Sequence, residues 1–351
     1  MSAVTWRRLE HMPLAHGGAA GSGLIRSRAE DFQVHEQLGF APDGEGEHVF
    51  VQIRKRDTNT IWLSRQLARH AGVPLRDVSY AGLKDRHALT TQWFSIRLAG
   101  RPEPEWSTLE SPQIQLLQVA RHRRKLKTGA LRGNRFGLRV RALQADLGAL
   151  QQRLAQLRQQ GMPNYFGEQR FGHDYANLEQ AQALFDGSLG RVERKLRGLF
   201  ISAARSQLFN EVLAARIAQG NWNQPLAGEH MKLAGSRSGF AIEEPDAEVL
   251  RRCREMDIHP SGPLWGRGRP SISRAALALE TAVLEPHAGL RNGLEHVGLE
   301  QERRPLRIAV DALEWSFPDS DSLWLEFSLP AGSYATVLLR ELLTVESAAM
   351  S

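Results

Sequence analysis

Residues 306–351 cannot fold by themselves, and this constrains the chain more than any other feature. The stretch 306–310 is apolar, and D-S-L-W-L-E-F-S-L-P (321–330) sets Leu323, Leu325, Phe327 and Leu329 on one side, the period of a half-buried strand. The turn P-A-G-S (330–333) follows, and 334–343 has the spacing of a short helix. So little secondary structure buries too little apolar surface to stand alone. The tail must complete a sheet begun elsewhere.

Residues 24–145 offer that sheet. D-F-Q-V-H-E (31–36) alternates Phe32, Val34 and Glu36, and H-V-F-V-Q-I (48–53) places Val49, Val51 and Ile53 on a common face. W-F-S-I-R-L (93–98) does the same with Phe94, Ile96 and Leu98, and Phe136, Leu138 and Val140 repeat it with Arg139 and Arg141 turned the other way. One helix intervenes, with Thr58 or Asn59 as cap, a face of Trp62, Leu63 and Leu67, and a stop at Gly72 before Pro74. Alternation with polar outer positions predicts an antiparallel sheet and an α+β fold.

The middle of the chain reads differently. After Asp146, Leu147, Leu150, Leu154 and Leu157 share a helical register that Gly161 ends. Helices are then predicted over 177–185, 195–219 and 271–284, separated by Gly-, Pro- and Asn-rich loops at 220–230 and 259–270. The expected organisation is a discontinuous core, residues 1–159 and 306–351, interrupted by a mainly helical domain at 160–305.

Composition narrows the class. The 351 residues are 42% hydrophobic and 24% charged, enough for two packed cores and too apolar for a disordered chain. The single cysteine, Cys253, excludes an intrachain disulfide framework and a thiolate zinc cluster. No apolar run reaches the ~18 residues of a membrane span, and the first 18 residues lack the apolar centre of a signal peptide. The expectation is a soluble cytoplasmic protein with no membrane contact.

Charge points toward nucleic acid. The formal net charge is +6, yet residues 121–141, R-H-R-R-K-L-K-T-G-A-L-R-G-N-R-F-G-L-R-V-R, hold nine basic residues and no acid. A solvated face mixes signs, so this window reads as a phosphate-binding patch. Its candidate contacts are Arg121, Arg123, Arg124, Lys125, Lys127 and Arg132.

Catalytic motifs are informative mainly by absence. No phosphate-binding G-x-x-x-x-G-K-[ST] loop, dinucleotide G-x-G-x-x-G turn, H-E-x-x-H or G-x-S-x-G occurs. Carboxylate chemistry without metal or nucleotide cofactor stays open, as does pure binding. The candidate carboxylate is Asp85, in Y-A-G-L-K-D (80–85) ahead of Thr90, Thr91 and Gln92. Lys84 and Arg86 flank it, and neighbouring cations favour its ionised form. Read locally, the K-D-R triplet also fits an ordinary solvated turn. In R-G-N-R-F-G (132–137), Asn134 has the donors and acceptors for a base edge. Phe136, Phe32 and Tyr334 offer rings that either stack on a ligand or fill a core.

Together these segments resemble the TruD family of tRNA pseudouridine synthases. The strings that carry the resemblance are D-F-Q-V-H-E (31–36), A-G-L-K-D-R-H-A-L-T-T-Q (81–92), R-G-N-R-F-G (132–137), N-Y-F-G-E-Q-R-F-G (164–172), S-A-A-R-S-Q-L-F-N (202–210) and L-P-A-G-S-Y-A-T (329–336). They occur in the family's order along nearly the whole chain. The resemblance implies an antiparallel-sheet pseudouridine synthase core interrupted by a mainly helical α/β insertion domain. It implies an isomerase that needs no cofactor or metal and turns a uridine of tRNA, at position 13, into pseudouridine. The family's catalytic aspartate falls on Asp85, and its substrate contacts on Phe32, Asn134 and the aromatic of the L-P-A-G turn. That aromatic is commonly phenylalanine and here is Tyr334. Phe136 is similar to the tyrosine that other pseudouridine synthases hold against the target base, and Lys84 is expected on a phosphate or on Asp85. The partner is tRNA, with no obligate protein partner evident. A non-catalytic RNA-binding or RNA-folding protein and a base-removing RNA hydrolase are the alternatives.

Overall fold

The computed structural model describes residues 6–348, so the start of the stretch read for a leader and the last three residues lie outside the described residues. The chain divides into two compact units. One comprises Gly21–Asp146, Val310–Gly332 and the segment from Leu343; the other comprises the segment up to Ala20, Leu147–Ala309 and Ser333–Leu342. The boundaries differ from those expected at 159/160 and 305/306. The helix Leu147–Gln160 and the tail helix Ala335–Leu342 both fall in the second unit.

The first unit is built on a ten-stranded sheet. Seven of its strands come early: β1 (Gly21–Ile25), β2 (Phe32–Gln37), β3 (His48–Arg56), β4 (Val78–Tyr80), β5 (Leu89–Arg97), β6 (Ile114–His122) and β7 (Gly133–Ala145). The tail adds Asp311–Asp319, Ser322–Pro330 and Thr344–Ser347. Ser322–Pro330 pairs antiparallel with β7 in unbroken register from Leu323↔Val140 to Pro330↔Gly133. The tail strand thus finds its partner in the early sheet.

The sheet is mixed rather than antiparallel. β2 runs parallel to β5, with Val34 opposite Thr90, and β1 runs parallel to Thr344–Ser347. Parallel neighbours need a long crossover, and the segment between β2 and β5, which contains β3 and the helix α1 (Thr60–His70), supplies it. Alternation reports which face is buried, not which way a strand runs, so the expectation failed at these two pairs.

Helix α1 starts where Asn59 accepts hydrogen bonds from the backbone N–H groups of Ile61 and Trp62, an N-cap that satisfies two orphan donors. Leu63 and Leu67 pack on Val49, Val51, Ile53, Phe94 and Ile96, whereas Trp62 points outward and is 48% exposed. Fully burying one such leucine contributes about 1.5–3 kcal/mol. On the sheet's other face Phe50, Trp93, Ala81 and Leu126 form a second cluster.

The second unit centres on the 25-residue helix Arg194–Ala218. Phe200, Ala204, Leu208 and Val212 recur at helical spacing and pack with Ala181, Leu284, Leu290 and Leu294. Leu150, Leu154 and Leu157 of Leu147–Gln160 are buried, but Leu147, expected on that face, is half-exposed in the first turn. The regions read as loops also carry strand: His230–Leu233 lies between Gly239–Ala241 and Ile258–His259, and Ser261–Leu264 pairs with Glu302–Pro305. These strands are too short to show a period. Among the described residues, no helix is long and apolar enough to cross a membrane.

Candidate active site

Cross-strand register puts several of the singled-out residues on one face of the sheet. Glu36 lies opposite Asn134, Val34 opposite Phe136 and Phe32 opposite Leu138, while Phe327 and Leu329 continue the rows at Phe136 and Asn134. Thr90 and Gln92 of β5 and Lys55 of β3 share that face.

The loop 81–88, which carries Asp85, is tied to this face by buried polar groups. The Gln92 amide donates to the Gly82 carbonyl (2.6 Å), and the Thr60 hydroxyl accepts from the Lys84 backbone N–H (3.2 Å) while donating to Gln92 Oε1 (3.1 Å). Lys55, fully buried, donates to the carbonyls of Thr58 (2.6 Å) and Asp85 (3.4 Å). Burial pulls the Lys55 ammonium down to about 8, and the Asp85 charge resists that fall. Of the three hydrogen-bonding residues expected after the loop, Gln92 meets the expectation. The Thr90 and Thr91 hydroxyls find no hydrogen-bond partner among the described residues.

Asp85 keeps a partly open carboxylate, its side chain 35% exposed, 3.2 Å from Arg26 Nη2. Arg26 is the cation that Lys84 and Arg86 were expected to supply. It follows β1 in a left-handed conformation (φ 58°), a strained state for a non-glycine residue. Its guanidinium lies 4.1 Å from the centroid of the buried Phe32 ring. One cation thus joins the ring to the carboxylate, and nothing in I-R-S-R announces it.

Lys84 does not approach Asp85. Its ammonium sits 2.6 Å from Glu36 Oε1, with side-chain exposures of 8% and 0%. Glu36 also accepts the Trp93 backbone N–H (2.8 Å). Burial raises the Glu36 carboxyl above its ordinary value, and Lys84 draws it back. Lys84 is therefore a buried partner of the strand that carries Phe32, paired with Glu36 and not with Asp85.

Asn134 is half-buried, and its Oδ1 has no hydrogen-bond partner among the described residues. Phe136 is 7% exposed and stacks on Phe327 with centroids 5.3 Å apart. Phe136→Leu is expected to cost about 1 kcal/mol through the lost ring pair, read as a lower melting temperature. A fall in turnover larger than the loss of folded protein would show that the ring also meets substrate. Tyr334 belongs to the other unit, where its hydroxyl accepts from Arg170 Nε (3.2 Å).

The basic window is less bare than it reads. Arg121 pairs with Glu103, Arg123 with Glu45, Arg135 with Glu326, Arg139 with Asp319 and Arg141 with Asp31. Lys125 donates to the Arg76 carbonyl. Arg124, Lys127 and Arg132 are exposed, and no carboxylate of the described residues lies within 4 Å of them. The acids arrive from loops, a 3-10 turn and strands outside the window, which a linear window cannot show.

A mixed sheet presenting a carboxylate beside a guanidinium, with a helical unit in the same chain, matches one family closely. The family model for tRNA pseudouridine synthase D (TruD) covers residues 14–179 and 174–342. The tRNA pseudouridine synthase D of Nitrosococcus oceani is 54% identical over 339 residues, spanning 95% of either chain. That of Methylococcus capsulatus is 50% identical over 95% of this chain and 94% of its own. A solved TruD-type structure from Methanosarcina mazei aligns with TM-score 0.72 over 94% of this chain and 95% of that one, at 22% identity, a likeness of fold. The chain belongs to the TruD family of tRNA pseudouridine synthases.

Proposed function

We propose that this chain isomerises a uridine of folded tRNA, at position 13, to pseudouridine, with Asp85 as the catalytic carboxylate. One observation carries the reading: a half-open carboxylate, on a loop fixed by buried hydrogen bonds, held 3.2 Å from Arg26. The guanidinium fixes the position of the carboxylate that either route requires. Asp85 attacks the uridine or its sugar, or removes the ribose 2′ proton to give a glycal. In both routes the N1–C1′ bond breaks, the base turns, C5 bonds to C1′, N1 gains a proton and the C5 hydrogen leaves as a proton. Substrate and product have the same composition.

The other site residues take supporting roles in this reading. Phe32 backs Arg26, Lys84 and Glu36 hold the strand and loop together, and Asn134 Oδ1 is an acceptor for the extruded base. Phe136 is the aromatic position for that base, and Tyr334 is the aromatic that follows the L-P-A-G turn. Arg124, Lys127 and Arg132 contact phosphates, and the paired Arg121, Arg123 and Lys125 flank them. Leu147–Ala309 is taken as the family's insertion, and the cytoplasm as the compartment where tRNA is met.

The test is tritium release from tRNA labelled at uridine C5, paired with product mass. Release with unchanged RNA mass is expected. Binding without release would make the chain an RNA-binding protein, and RNA lighter by one base would make it a hydrolase.

A further inference from the structure

Two strings of the sequence, N-Y-F-G-E-Q-R-F-G and S-A-A-R-S-Q-L-F-N, have no part in the chemistry above, yet the fold brings them together in the second unit. Asn210 clamps the backbone of Phe166, accepting from its N–H (2.9 Å) and donating to its carbonyl (3.0 Å). Asn164 is fixed by its N–H to the Leu306 carbonyl and its amide to the Pro305 carbonyl, both 2.8 Å. Asn177 holds the far end through the carbonyls of Phe171 (3.0 Å) and Arg170 (3.3 Å). Gly167 lies so close to Tyr334 that a Cβ there would meet ring atom Cδ1 at 2.8 Å.

This scaffold presents Arg170 on a short 3-10 turn, Glu168–Arg170. Its Nε donates to the Tyr334 hydroxyl and its Nη1 to the Ser202 hydroxyl, each at 3.2 Å. Both partners are neutral. Arginines elsewhere in the unit meet carboxylates, as Arg216 meets Glu229 and Arg303 meets Glu280. No carboxylate of the described residues lies within 4 Å of Arg170. A second cation stands near: Arg304 lies 4.1 Å from the Phe166 ring centroid, and Arg170 lies 5.6 Å from the same centroid. Burial and the Arg170 charge together lower the Arg304 guanidinium to about 10. Gathering like charges costs free energy that an arriving anion offsets. A guanidinium fork with hydroxyls beside it suits the planar, multidentate contact that a phosphate offers.

We propose that Arg170, with the hydroxyls of Tyr334 and Ser202, forms a phosphodiester-binding site in the second unit for the RNA substrate. The inference rests on the tRNA reading above. It also gives a role to the Tyr334 hydroxyl, because that oxygen aligns the Arg170 fork.

The test pairs a variant with a measurement on the unaltered protein. Arg170→Gln should weaken tRNA binding about tenfold and flatten the plot of log affinity against log salt by about 0.7–0.9. Arg170→Lys should restore the slope and only part of the affinity. An unchanged slope in a folded Gln variant overturns the proposal. In the wild-type protein, an arginine-selective dicarbonyl reagent should modify Arg170 in the free enzyme and spare it in the tRNA complex. Equal modification in both states overturns it as well, whether or not the Gln variant folds. Tritium release by the wild-type protein checks the underlying reading separately.

Discussion

Asp85→Asn is expected to reduce tritium release to background while leaving the fold and tRNA affinity in place. The amide keeps the shape and most of the hydrogen bonding of the carboxylate but supplies neither a nucleophile nor a base. Arg26 then faces a neutral group, and the loop keeps its ties through Gly82, the Lys84 N–H and the Asp85 carbonyl. Most RNA affinity comes from phosphate contacts elsewhere, and removing an anion from the site relieves repulsion, so binding holds or tightens. Tritium release, affinity and melting temperature belong on one preparation. Substantial turnover in a folded, tRNA-binding Asn variant would remove Asp85 from the mechanism.

The second large effect is on stability. Glu36→Ala leaves the Lys84 ammonium, 8% exposed, without its carboxylate and orphans the Trp93 backbone N–H. Breaking a buried pair from one side costs about 3–5 kcal/mol, a large part of a typical domain's margin. Removing both charges is a different matter, because the desolvation cost disappears with them. A Glu36→Leu, Lys84→Met double variant should therefore recover most of the loss in denaturant unfolding. Equal destabilisation of the single and double variants would show that the pair is not the source.

Much of the fold was legible because burial has a period. Phe32, Val34 and Glu36 in β2, and Leu323 to Leu329 in the tail, were readable as faces and are buried as faces. A cap at Thr58 or Asn59 was readable because a short polar residue before an apolar helical face has donors to satisfy, and Asn59 fills it. Strand direction was not legible, since β2 has the same alternation beside a parallel neighbour as beside an antiparallel one. Trp62 and Leu147 look apolar enough for the interior, yet Trp62 lies off the arc that buries Thr60, Leu63, Ser64 and Leu67, and Leu147 precedes the first buried position, Leu150.

The site divides along the same line. Asp85 was readable as the candidate carboxylate because its loop has a family signature, and it lies beside Arg26. Arg26, Lys55 and Glu36 were not, since each acts across strands on a group distant in sequence. The acids that pair with the basic window were hidden for that reason too: Glu103, Glu45, Glu326, Asp319 and Asp31 reach it only after folding.

The strand Thr344–Ser347 lies against β1, Ser22 opposite Thr344, and Ser322–Pro330 lies against β7. Those early strands leave the ribosome long before their partners are made. The whole of Leu147–Ala309 must be synthesised first, at about 5–20 residues per second. For tens of seconds β1 and β7 are open edges in a nascent chain, exposed to wrong pairings. A messenger that stops before codon 344 yields a chain whose first strand has no final neighbour. The order of synthesis thus makes the tail strand the closing stitch of the sheet, so translation through that strand is a condition of folding as well as of length.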